Sequence, residues 1–337
     1  MTANDSLSEL YQPTGGDFGG TRVDHKFIDV LTRIFGADIL RTFKDTHTHE
    51  YWDLMEDFEL KKRNFDASSR VILKCPPSFL QIYEDTVGMS VSQSLQNSNL
   101  MGKVEFKIGK IMLEATLVKG FFDGPVDDIV NATEDLLKQV GGLQHIIMVG
   151  GFSESPYLQK VMMERFGDMV VIPDQPSGAV VNGAVIYGHK RGAISSRVCK
   201  FTYGIAQIMK FKSHHPDNKK RTYGGIAYCE DLFSKHIEIG EKVSLDSTEA
   251  NEIEYFPPAA DAIHVALEVY ASSRKNPTFV DENGCQLVGL IKLEINTQGN
   301  FWAKLLVQMK FGGTELEIQV TEVNTGSKTM AYVDFLG

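Results

Sequence analysis

Long apolar runs are missing from these 337 residues: no window approaches the ~20 consecutive apolar positions of a membrane helix, so no membrane span is expected. The opening MTANDSLSELYQP has neither a basic start nor an apolar core, and no signal peptide is expected there. Cysteine is sparse. Cys75, Cys199, Cys229 and Cys285 stand far apart, without the paired spacing of a zinc site or a dithiol motif, which points to free thiols in a reducing, cytoplasmic setting. Basic charge is also short: 34 Lys and Arg against 44 Asp and Glu leave a net charge of −10. The only basic runs are Lys61-Lys62-Arg63 and Lys219-Lys220-Arg221, too short for a nucleic-acid stripe. His47, His49 and Glu50, or His214 and His215, lack a third ligand at a recognisable spacing, so no metal is expected.

What is present is ordinary globular composition, 42% hydrophobic, in a chain longer than a single core of roughly 250–300 residues usually sustains. Val23, Phe27, Ile28, Leu31, Ile34 and Phe35 recur at helical spacing, with Gly36 as a stop, and Tyr51 to about Ala67 continues as helix. Residues 68–118 read mainly as strands and turns. A helix over 123–140, a buried strand from Ile146 to Val149, a helix over 157–166, a strand at Val170 to Ile172 and a small-residue helix from Ser177 follow. That alternation predicts an α/β layer with a mostly parallel sheet. After Gly192 strands dominate. In FWAKLLVQMKFGGTELEIQV the apolar residues alternate on both sides of Gly312-Gly313, which predicts an antiparallel hairpin in a β-sandwich. The expected domains are residues 1–192 and 198–337.

The stretch HIIMVGGFSESPYLQKVMMERF (145–166) carries an apolar strand into two glycines and then a helix. It is not G-x-G-x-x-G, has no lysine after its glycines, and misses the last glycine of a nucleophile elbow. Gly150 and Gly151 let a partner approach the backbone, Ser153 or Ser155 can cap the helix, and Pro156 suits its first turn. By themselves these residues favour a tight corner and leave a ligand crevice as the alternative.

Residues 145–188 resemble the adenosine segment of the actin-like ATPases, above all the 70-kDa heat-shock chaperones and their divergent branch called heat shock 70 kDa protein 12. In that family the paired glycines pass beneath adenine and ribose, and the next helix packs closely, here through Ala179, Gly183 and Ala184. Glu59, Lys62 and Arg63 keep the family's E-x-x-K-R spacing, which puts all three on one helix face. A guanidinium stacks on a flat ring, and the flanking Glu and Lys can reach ribose hydroxyls. Without the resemblance, the three make a solvated charged face.

DFGGTRVD (17–24) looks like the family's D-x-G-G-G-T-x-D phosphate loop, yet an amphipathic helix follows it. It better resembles a later glycine turn in which Gly15 and Gly16 lie along the phosphates. No other D-x-G-T segment occurs, so the resemblance implies a chain that begins after the phosphate loops and does not hydrolyse ATP alone. Phe152 and Glu154 depart from the family, which carries a small polar residue and an arginine there. Residues 198–337 follow, weakly, the strand order of the chaperones' peptide-binding sandwich, without the acidic linker or the helical lid. The resemblance therefore implies an α/β actin-like ATPase lobe, the second half of a nucleotide-binding domain, followed by an antiparallel β-sandwich. It implies ATP or ADP as ligand, Mg2+ in an intact molecule, and client or regulatory proteins as partners. The expected contacts are Gly15, Gly16, Glu59, Lys62, Arg63, Gly150, Gly151 and Ser153, with no catalytic residue. A non-enzymatic interaction module with a relic nucleotide lobe is the alternative.

Overall fold

From Thr21 to Phe35 the apolar side chains fall on one face, and the segment is helix α1 (Thr21–Phe35), burying Val23, Phe27, Leu31, Ile34 and Phe35. Gly36, at φ 87°, ends it in a conformation that favours glycine. The computed structural model describes residues 6–96, 98–244, 252–256, 264–295, 304–311 and 315–334. Within them the chain divides into two units, an α/β unit (15–189) and a β unit formed by residues 6–14 with those from 190 onward. A short strand, β1 (Leu7–Ser8), precedes α1 and belongs to the β unit.

In the α/β unit, α1 is followed by α2 (Ala37–Thr46) and α3 (Thr48–Arg63). Phe27 of α1 stacks on Phe58 of α3 with ring centroids 4.0 Å apart, which ties the two helices together through a buried ring pair. Burying each ring is worth about 1.5–3 kcal/mol. β2 (Val71–Lys74) comes next. The stretch expected to be turns then holds α4 (Pro77–Val87) and α5 (Val91–Leu95). Its loop-like composition hides two helix starts: Pro77 occupies a first turn, and Ser90 with Gln93 forms a capping box. β3 (Val104–Lys107) and β4 (Lys110–Leu113) complete an antiparallel sheet of order β2-β4-β3. α6 (Ala115–Val140) starts earlier than expected and runs through Pro125, whose ring is buried. β5 (Ile146–Ile147), α7 (Pro156–Phe166), β6 (Val170–Val171) and α8 (Pro176–His189) close the unit, with β5 and β6 parallel. The expected close packing of α8 is not found among the described residues. Only Pro176 of that helix is buried, and a Cβ at Gly183 would meet nothing within 4 Å.

In the β unit, β1 pairs in parallel with β7 (Ile194–Val198), which pairs with β11 (Lys242–Ser244) after β8 (Thr202–Lys210), β9 (Lys220–Tyr223) and β10 (Ile226–Ile237). Residues 6–14, expected within the first domain, lie here because Leu7 and Ser8 pair with Ile194 and Ser196 and the Glu9 carboxylate accepts the Val198 N–H at 2.9 Å. The unit continues with β12 (Glu252–Tyr255), β13 (His264–Ser272), β14 (Cys285–Glu294), β15 (Leu305–Phe311), β16 (Glu315–Glu322) and β17 (Lys328–Asp334). Two antiparallel sheets form, β14-β13-β8-β10-β9 and β12-β15-β16-β17. Val269, Ile205 and Ile291 of one share a buried core with Val307, Ile318 and Val320 of the other. The predicted hairpin pairs Leu305 with Glu322 through Phe311 with Leu316. Its turn at Gly312-Gly313 lies outside the described residues, as do Phe301, Ala303 and the chain end at Gly337.

Candidate functional site

Four pieces of the α/β unit meet where the last turn of α3 reaches the start of α1. An aromatic cluster fixes them. Phe65, just after α3, stacks on Phe122 of α6 at 5.2 Å, and Phe122 stacks on Phe152 at 6.2 Å and meets Tyr157 edge-on at 5.6 Å. The Phe65 carbonyl accepts the Tyr157 N–H at 3.2 Å. Phe152 is thus an anchor that holds the 150–155 turn against the end of α3.

On that frame Lys62 is nearly buried, its side chain 9% exposed. Its ammonium donates to both Asp24 carboxylate oxygens, at 2.7 and 2.9 Å, and to the Gly20 carbonyl at 3.4 Å, and it pairs with Glu59. Glu59 also accepts from Arg63 Nε at 2.8 Å. The two carboxylates shift in opposite directions. Burial pushes Asp24 up, and Lys62 pulls it back only in part. Burial would raise Glu59 as well, but hydrogen bonds from Lys62 and Arg63 outweigh it and hold the group below the usual range. Arg63 remains 57% exposed, and its pKa is raised by the Glu59 bond and charge, with a smaller contribution from Glu154 across the gap to the turn.

The turn itself is tied down on one side and open on the other. Gly150 sits at φ 90° and donates its N–H to the Pro176 carbonyl at 2.8 Å. Among the described residues nothing would lie within 4 Å of a Cβ at Gly150 or Gly151, so the backbone there is open. Ser153 points inward: its hydroxyl donates to the Val149 carbonyl at 2.8 Å, and the Gln159 side chain donates to the Ser153 carbonyl at 2.7 Å. Ser177, at the start of α8, donates to Glu154. The geometry therefore places Glu59, Lys62 and Arg63 beside the turn carrying Gly150, Gly151 and Ser153. Gly15 and Gly16 sit upstream of Gly20, where the nearest side chain to Gly16 is the Phe18 ring, 2.6 Å from where a Cβ would lie.

No family model matches the sequence. The heat shock 70 kDa protein 12A of Mus musculus is 29% identical over 341 residues, 98% of this chain and 50% of that protein. The heat shock 70 kDa protein 12B of Homo sapiens is 28% identical over 348 residues, with the same coverage of 98% and 50%. Chaperone protein DnaK of Picrophilus torridus is 22% identical over 308 residues, 82% of this chain and 50% of DnaK. The chain is related to the 70-kDa heat-shock proteins, in the actin-like ATPase superfamily. It spans about half the length of the curated relatives it matches.

Against the 70-kDa heat-shock relatives, the mixed α/β unit with its several sheets fits an actin-like ATPase lobe. Two participants in its site escape sequence reasoning. Gly20 approaches both Lys62 and Phe152, and Asp24 holds the lysine. No local pattern announces a pair 38 residues apart; the one available signal is an acidic residue in the first turn of α1. Among the described residues no three His, Cys, Asp or Glu side chains gather as a metal site, and no helix is long and apolar enough to cross a membrane.

Proposed function

We propose that the α/β unit binds ATP or ADP, with the purine lying over the Gly150–Gly151 backbone beside Arg63. The observation that carries this is the pairing of open backbone at two glycines with an exposed guanidinium oriented by Glu59, on elements locked together by the Phe65–Phe122–Phe152 cluster. A guanidinium fixed through Nε presents a flat face to a ring, and Gly15 and Gly16 are assigned to the phosphate side. Ser153 supports the turn from within rather than offering its hydroxyl. Mg2+ would enter with the phosphates of the nucleotide, and no residue of this chain is assigned to it. Hydrolysis is not proposed for the chain by itself, since no D-x-G-T segment occurs in it. We assign the two β sheets to a chaperone-type sandwich that holds extended client or regulatory segments through main-chain bonding, in a reducing, cytoplasmic setting.

Titration calorimetry with ATP and ADP tests the reading. Binding is expected, and Arg63→Ala is expected to weaken it roughly tenfold or more, the loss of a stacked cation. Unchanged affinity in that variant would overturn the purine assignment. The second reading, an interaction module with a relic nucleotide lobe, draws on the internal saturation of Lys62, Ser153 and Glu154. No heat at millimolar nucleotide would favour it.

A further inference from the structure

An ammonium has three N–H donors. All three on Lys62 have acceptors in the structure: the Asp24 carboxylate, the Glu59 carboxylate and the Gly20 carbonyl. Two of those acceptors sit at the start of α1, directly after the turn that holds Gly15 and Gly16. Gly20 also lies close to the 150–155 turn, since a Cβ there would lie 3.3 Å from a Phe152 ring carbon and 3.5 Å from Lys62 Nζ. The start of α1 therefore meets both the end of α3, through Lys62, and the 150–155 turn, through Phe152.

Reaching a ribose hydroxyl would require Lys62 to leave Asp24, whose side chain is only 25% exposed. That exchanges an ion pair for a bond from the ammonium to an uncharged hydroxyl and leaves a half-buried carboxylate unpaired, an unfavourable trade. We infer that Asp24 is a positioning residue. By holding Lys62 it locks the Gly15–Gly20 turn to the end of α3, so that the phosphate side and the purine side of the site form one rigid piece, with Lys62 a strut between them and not a ligand donor. This rests on the nucleotide reading above.

The test uses the full chain as wild type, Asp24→Asn and Asp24→Glu. Hydrogen exchange of residues 15–23 is expected to quicken roughly tenfold in Asp24→Asn and to stay near wild type in Asp24→Glu. In calorimetry Asp24→Asn is expected to weaken ADP by about tenfold while adenosine stays within about twofold. Unchanged exchange in Asp24→Asn would overturn the strut. Equal losses for ADP and adenosine would overturn the division of roles, because Lys62 would then act on the nucleoside itself. Absence of any nucleotide binding by the wild type would instead remove the ligand and the positioning role with it, and the exchange data would still report whether the strut holds the turn.

Discussion

His236 on β10 is 7% exposed, stacked on Tyr255 with its Nε2 2.9 Å from the Tyr255 hydroxyl, which in turn donates to Ser234 at 2.8 Å. Its Nδ1 is buried without a partner among the described residues. Burial pushes its pKa from 6.5 down to about 4. Between those values the unfolded chain takes up a proton that the folded chain refuses, so stability falls as pH drops from 6.5 toward 4, by as much as about 3 kcal/mol. Urea unfolding at pH 7 and pH 5 should show about 2 kcal/mol of that loss in wild type and a flatter dependence in His236→Gln; parallel behaviour would mean the ring is not held neutral. At the candidate site the same scale separates the charged face predicted for α3 into two parts. Arg63 stays exposed, whereas Lys62 is withdrawn into a pair with Asp24. Spacing alone shows that Glu59, Lys62 and Arg63 share a face; which of them faces solvent depends on what α1 places opposite.

Among the elements, α7 shows how a turn becomes a platform. Ser155 caps it, accepting the Leu158 N–H at 3.4 Å, and Pro156 fills the first turn where a missing N–H costs nothing. Ser155→Ala should cost about 1 kcal/mol, read as a lower urea midpoint with an unchanged slope. An unchanged midpoint would mean that the cap is replaced by solvent. α1 follows from sequence because its own apolar periodicity sets it. α4 and α5 do not, because Pro and Ser are turn formers by composition and start helices only when a neighbouring core supplies the buried face, here for Phe79, Tyr83, Val91 and Leu95. α8 is the opposite case: its small residues suggest close packing, yet Val180, Val181, Val185 and Ile186 are all more than half exposed.

Across the whole molecule each unit has its own buried core, one that threads stacked phenylalanines among aliphatic side chains and one of β-branched and leucine side chains from two sheets. The β core leaves little room at Gly204 of β8, where a Cβ would lie 2.5 Å from the Ser234 carbonyl oxygen and would collide with the Phe233 ring. Gly204→Ala should therefore destabilise the β unit by about 1–3 kcal/mol, the cost of overpacking, and the backbone oxygen cannot rotate away as a side chain could. Calorimetry should show the melting of that unit lowered; an unshifted transition would mean that β10 yields without cost.

Composition, periodicity and short spacing determined by themselves the acidic charge, the α-helical face of α1, the alternating strands of the β15–β16 hairpin and the glycine turn at 150–151. These are properties of neighbours along the chain, separated by a few residues and set by backbone geometry. Tertiary structure decided the rest: that residues 6–14 join the strands after 190, that Phe152 is an anchor for its turn, and that Lys62 is spent on Asp24. Each of those outcomes depends on groups far apart in sequence competing for the same donor, ring or strand edge, and such competition is settled only when packing brings the competitors together.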